Sequence, residues 1–374
     1  MFTHLAQQLD KRESQNALRK LKVHGDLIDF CSNDYLGLAR NKTIFQSVNQ
    51  EFEKESQINK LGATGSRLIA GTSQYCVDLE IFLAKLHHSE SALIFNSGYT
   101  ANLAVLSTLP QKGDVVFYDE LSHACIKEGI RLSFAEKFSF KHNDLDDLKR
   151  KLEKCNAKTI YVAVESIYSM DGDESPLLAI TELCKKFNAI IIVDEAHSTA
   201  HLGSGGNGLV CQLGLEKEIP IRIHTYGKAL GCHGATVIAP KVITDYLINF
   251  ARPFIYTTAL PLHSLVNIKM AYQYLSSNNE EVNTLNNNIA LFKSLTNTLP
   301  KVESNSPIQA ILIPGNEEVK TTATNLQKAG FDIRPIMSPT VKEGGERLRI
   351  CIHTYNTEKQ ITELCGLLNK LISK

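Results

Sequence analysis

Between residues 91 and 239 the sequence alternates short apolar runs with helix-like stretches. The apolar runs span residues 91–95, 114–118, 137–140, 159–165, 189–194, 221–225 and 235–239. Residues 77–86, 100–109, 145–154 and 176–187 read as helices. A run that is apolar at nearly every position belongs to a strand covered on both faces. Strands separated by helices therefore predict an α/β fold with a mostly parallel central sheet. Ligands of such sheets gather at the carboxyl ends of the strands, so the residues that follow each run carry the functional information.

The flanks read differently. The opening residues are polar, with a helix expected over 5–21. A short strand is expected at 27–30, before the turn-rich Ser32-Asn33-Asp34-Tyr35-Leu36-Gly37. After residue 260 come two helices (262–276 and 280–298), strands at 308–313 and 347–352, and helices at 316–329 and 357–372. A chain of 374 residues has room for two domains. The expected division is an N-terminal arm over 1–35, a large domain over 36–255 and a smaller α+β domain over 256–374.

Charge excludes some classes of function. Lys plus Arg and Asp plus Glu number 40 each, without the basic excess of nucleic-acid or membrane-surface binders. The nine cysteines are scattered, without zinc-type spacing, so no metal site is predicted. An odd number in a large chain points to free thiols in a reducing cytoplasm. Residues 1–11 lack the apolar core of a secretory signal, and no apolar run is long enough to span a bilayer. The expected location is cytoplasmic.

Four segments at strand ends carry candidate chemistry. Ile190-Ile191-Ile192-Val193-Asp194-Glu195-Ala196-His197 places a carboxylate at the end of a buried strand. Asp194 there serves equally well as a helix cap or as the counter-charge of a cationic ligand. His224-Thr225-Tyr226-Gly227-Lys228-Ala229-Leu230-Gly231 sets a lysine between glycines, about one βαβ unit downstream. Burial or a nearby cation would make that lysine a nucleophile; alone, it also reads as a solvated turn residue. Asn96-Ser97-Gly98-Tyr99-Thr100-Ala101-Asn102 opens a helix whose N–H groups suit a phosphate, with Ser97 also a plain N-cap. Asp119-Glu120-Leu121-Ser122-His123 offers a histidine that could stack on a planar ligand or be structural.

The order of these segments resembles fold-type I pyridoxal-phosphate (PLP) enzymes, and more narrowly the α-oxoamine synthase family. Further matches are Gly65-Ser66-Arg67-Leu68, Ser169-Met170-Asp171-Gly172-Asp173, and Pro339-Thr340-Val341 followed by Arg347-Leu348-Arg349. The resemblance runs from about Leu18 to the C-terminus. It implies an acyltransferase that condenses an amino acid with an acyl thioester, with decarboxylation. It points first to L-alanine with a pimeloyl thioester on coenzyme A or acyl-carrier protein, and alternatively to glycine with acetyl-CoA. It also implies a role for each residue. Lys228 would carry PLP as a Schiff base and move protons. Asp194 would pair with the pyridine nitrogen, His197 with the phenolic oxygen, and His123 would stack on the ring. Gly98, Tyr99 and Thr225 would hold the phosphate, with Thr257 and Thr258 supplied across a homodimer interface. Ser169 would lie near the cofactor. Arg349 would grip the amino-acid carboxylate, and Arg19 and Thr340 would contact substrate. One departure stands out: Met337-Ser338 occupies the place where many relatives carry an arginine, and Arg334 lies a few positions earlier.

Overall fold

The computed structural model describes residues 2–15, 18–19, 21, 25–58 and 60–372. Its strands, in chain order, are β1 (Ile28–Asp29), β2 (Ser91–Phe95), β3 (Val115–Asp119), β4 (Glu136–Phe140), β5 (Ile160–Glu165), β6 (Ile190–Asp194), β7 (Ile221–Thr225), β8 (Ala235–Ala239), β9 (Ile308–Leu312), β10 (Phe331–Asp332), β11 (Arg334–Ile336) and β12 (Arg347–Cys351). The seven strands expected between residues 91 and 239 all form, with boundaries shifted by a residue at most. The N-terminal helix stops earlier than expected, at Thr3–Ser14, and part of its expected span lies outside the described residues.

The chain divides into two compact units. One comprises Leu36–Ser169 and Glu174–Val282; the other comprises Met1–Tyr35, Met170–Asp173 and Asn283–Lys374. This differs from the expected division at both ends. Residues 256–282 stay with the larger unit because the helix Leu262–Ser277 packs on the helices Lys42–Ser56 and Gln74–Leu86. At the other end, residues 28–29 join the smaller unit, since β1 pairs in parallel with β10, Ile28 opposite Phe331.

The larger unit holds a seven-stranded sheet in the order β2-β8-β7-β6-β5-β3-β4. Pairs among β3 to β7 are parallel, and β8 runs antiparallel to both β7 and β2. Successive strand residues point to opposite faces. Val116, Ala163, Ile192 and Ile223 thus join one apolar cluster, while Phe117, Val162, Val164, Ile191 and Val193 join the other. Both faces are covered everywhere but at the edge strand β4, which is mostly exposed, and this is why the inner strands read as nearly unbroken apolar runs. The same period sets the site: Glu165, Asp194 and Thr225 follow Ala163, Ile192 and Ile223 by two and point to the same face.

The smaller unit holds a three-stranded antiparallel sheet, β11-β12-β9. The helices Glu280–Leu295, Asn316–Lys328 and Glu358–Ile372 supply the rest of the α+β pattern expected there, the first of them beginning just before the division.

Candidate active site

In the larger unit the carboxyl ends of β5, β6 and β7 bring the expected residues together. The chain leaves β7 through a turn in which the Gly231 N–H donates to the Lys228 carbonyl at 2.8 Å. Gly231 has φ +68°, and a Cβ there would lie 2.3 Å from the Ala39 nitrogen, so only glycine fits this turn. The turn leaves Lys228 half-buried, with Nζ 2.7 Å from His197 Nε2. His197 is 3% exposed, so the imidazole is a fixed partner for the amine.

Asp194 is 5% exposed. Its Oδ1 accepts from the Ala196 N–H at 2.9 Å, and its Oδ2 accepts from Asn102 Nδ2 at 2.8 Å. Asn102 also donates to the Gly98 carbonyl at 3.0 Å, tying the carboxylate to the first turn of the helix Gly98–Thr108. Asn102 lies in the segment singled out at the helix start, but its residue type and position four after Gly98 do not reveal that it holds Asp194.

Glu165 is the second residue the sequence underrated. It sits beside Asp194 in register and its Oε1 accepts from the His123 N–H at 2.6 Å. Burial first, and then the neighbouring Asp194 charge, push the Glu165 carboxyl up to about 8. Glu165 therefore keeps its proton at neutral pH. An unfolded chain ionises this group near its ordinary range, so the unfolded state binds fewer protons between that range and about 8. Stability of the ligand-free protein is expected to fall as pH rises through this window. Glu165→Gln should flatten the fall, and an unchanged slope in denaturant midpoints across the window would contradict the account.

His123 caps the helix Ala124–Leu132. Its Nδ1 accepts from the Cys125 N–H at 3.3 Å and lies 2.9 Å from Cys125 Sγ. With Nδ1 an acceptor, the neutral ring carries its hydrogen on Nε2. The ring is exposed, yet crowding by surrounding protein lowers its proton affinity.

At the end of β2, Ser97 caps the helix Gly98–Thr108 by accepting from the Thr100 N–H at 3.2 Å. A Cβ at Gly98 would sit 3.0 Å from both Cβ and Oγ1 of Thr225, so the glycine lets the helix start approach the β7 terminus. Tyr99 is 48% exposed. Thr257 and Thr258 lie at the same end of the sheet: Asn96 Nδ2 donates to Thr257 Oγ1 at 3.1 Å and to the Thr258 carbonyl at 2.8 Å. Ser169 is buried, at 9% exposure. These residues fit a phosphorylated, cationic-ring cofactor. The glycine-opened helix start can take the phosphate, the buried carboxylate can take a ring N–H, and the amine can form the covalent link.

The smaller unit gathers the residues expected to bind substrate. Arg19 Nη2 donates to Thr340 Oγ1 at 3.5 Å, and both line a groove of about 770 Å³. Its cationic wall includes Arg12, Lys320 and Arg334, and Met170, Ile336 and Met337 are among its apolar residues. Arg334 pairs with Asp332 at 2.8 Å and stands opposite Arg349 in register. Arg349 donates to Asn33 Oδ1 at 3.0 Å and contacts Cys351 Sγ at 2.9 Å. The Tyr35 hydroxyl donates to the same Asn33 oxygen at 3.0 Å.

The sequence matches the family described as aminotransferase class I and II over residues 25–368. It is 37% identical to a protein of Emericella nidulans named 8-amino-7-oxononanoate synthase, across 98% of this chain and 94% of that one. The crystal structure of 8-amino-7-oxononanoate synthase from Francisella tularensis superposes with a TM-score of 0.79 at 30% identity, covering 92% of this chain and 97% of that one. Serine palmitoyltransferase from S. paucimobilis, with a bound PLP–myriocin aldimine, superposes with a TM-score of 0.89 at 26% identity, covering 99% and 97%.

Proposed function

From the premise that the chain belongs to the aminotransferase class I and II family and is a PLP-dependent acyltransferase, we propose that it condenses L-alanine with a pimeloyl thioester, releasing carbon dioxide and the thiol to give 8-amino-7-oxononanoate for biotin synthesis. The observation that carries this reading is the 37% identity, over nearly the whole of both chains, to a relative bearing that enzyme's name. The groove lined by Arg12, Arg19, Lys320 and Arg334 supports it further, because cations beside apolar surface suit a short acyl chain ending in a carboxylate.

When bound, PLP supplies an electron sink for negative charge at the amino acid's α-carbon. The protein's own residues do the rest. Lys228 anchors the cofactor and, once released from it, takes the α-proton; His197, 2.7 Å from Nζ, holds the amine and is assigned to the phenolic oxygen. Asp194 supports the positive charge on the ring nitrogen, and Asn102 keeps its carboxylate aimed. His123 stacks on the ring, with Ser169 nearby. Gly98, Tyr99 and Thr225 hold the phosphate. Thr257 and Thr258 are assigned to the phosphate of the partner subunit's cofactor, so the working form is a homodimer. Arg349 grips the amino-acid carboxylate, a task for a planar two-pronged donor, and Arg19 and Thr340 receive the acyl substrate. No helix among the described residues is long and apolar enough to cross a membrane, and we place the enzyme in the cytoplasm.

The likeness to serine palmitoyltransferase makes serine with a long acyl-CoA the second reading. The test is thiol release with L-alanine and pimeloyl-CoA beside glycine with acetyl-CoA and L-serine with palmitoyl-CoA. The first pair is expected to exceed the others in kcat/KM by about a hundredfold, the scale of discrimination by fit in a largely apolar pocket. Faster release from either other pair would keep the fold and cofactor but move the substrate assignment.

A further inference from the structure

On the sheet face opposite Asp194 and Thr225, three metal-ligating side chains converge from distant parts of the chain. His88 follows the helix Gln74–Leu86, Cys211 lies in the short helix Leu209–Gln212, and Glu216 precedes β7. One donor atom from each, an imidazole nitrogen of His88, Cys211 Sγ and a Glu216 carboxylate oxygen, all lie within 4.8 Å of one another. We propose that His88, Cys211 and Glu216 form a site for a zinc-class divalent cation, with a fourth coordination position open to water.

The donor set is of the kind zinc takes: one imidazole, one thiolate and one carboxylate. Two nitrogen or oxygen ligands about 2.1 Å from a tetrahedral zinc stand about 3.4 Å apart, and His88 Nδ1 is 3.3 Å from Glu216 Oε1. That pair alone would be an ordinary surface ion pair, but two further facts go beyond it. The thiol is beside it, and Glu216 Oε2 is buried without a hydrogen-bond partner, an arrangement that costs stability unless something satisfies the oxygen. Cys211 Sγ also receives Arg222 Nη1 at 3.0 Å and contacts the His87 carbonyl at 3.6 Å. Burial pushes the Cys211 thiol up to about 11, so a bound cation must displace the thiol's proton, and the guanidinium offsets this only in part. Its positive charge also opposes a cation, which limits the affinity but not the geometry. His88 has φ +51°, a left-handed conformation just past the end of the helix Gln74–Leu86. Because Arg222 and Ile223 alternate along β7, the cluster lies on the other side of the sheet from Lys228 and takes no part in the chemistry proposed above. An ion here would pin the end of the helix Gln74–Leu86 to the segment entering β7.

The test uses the PLP-loaded enzyme and Zn²⁺ as the probe. Titration calorimetry is expected to show one equivalent bound. The affinity should fall at least tenfold in Glu216→Gln and in His88→Asn, the latter chosen because asparagine tolerates the left-handed conformation, and further in Cys211→Ser. In parallel, Zn²⁺ should protect Cys211 from alkylation, read by peptide mass spectrometry, while the exposed His88→Asn variant loses that protection. Equal zinc affinity in the wild type and all three variants, or alkylation of Cys211 unchanged by saturating zinc, would overturn the proposal.

Discussion

Lys228→Ala is expected to fold, bind PLP weakly and lose turnover by roughly 10⁴–10⁶-fold, the scale seen when a covalent nucleophile is removed. The side chain is half-buried and its amine meets His197, so truncation leaves a small polar gap rather than a cavity in either apolar cluster. Two functions vanish together: the covalent anchor and the base for the α-proton. Thiol release measures the second. Borohydride reduction measures the first, since it should fix the cofactor to the peptide containing Lys228 in the wild type and to no peptide in the variant. Multiple turnover within tenfold of wild type, or cofactor trapped on another lysine, would remove Lys228 from its proposed role.

Asp194→Asn separates charge from shape. The new amide keeps an oxygen to accept from the Ala196 N–H. Asn102, whose Oδ1 has no hydrogen-bond partner, can turn over to accept from the new NH₂ group, giving up its bond to the Gly98 carbonyl. The variant is therefore expected to fold and hold the cofactor. The negative charge is gone, and with it the support for a protonated ring nitrogen. A loss of about 10²–10³-fold in kcat is expected, the size of a single preorganised electrostatic contribution, with KM for the amino acid changed far less. A kcat within about threefold of wild type would show that the ring charge is held by something else.

Much of this was legible before any coordinates. The apolar runs located the strands of the large sheet, most clearly those covered on both faces, where few polar positions obscure the pattern; the edge strand β4 is the exposed exception. The segments after those runs contained Lys228, Asp194, His197 and Thr225, and the fold brings all four to one end of the sheet. The domain division was less legible. Nothing in the residues before 282 announces that the helix Leu262–Ser277 packs on Lys42–Ser56, since an apolar helix face does not name its partner. The opening segment shows the same limit: the short strand expected at 27–30 forms as β1, but a strand does not name its partner, and only the fold pairs it with β10.

Local period and residue type are enough to specify the α/β class, the chain order of the site residues and the amine, carboxylate and imidazole available to the chemistry. Which of these groups meet is set by packing. Strand register put Glu165 beside Asp194 and raised its proton affinity. Helix placement gave Asp194 its Asn102 partner. Folding also carried His88 to Cys211 and Glu216 across more than a hundred residues of sequence. Contacts of that kind depend on sheet order and helix packing, which are properties of the whole chain and leave no periodic trace along it.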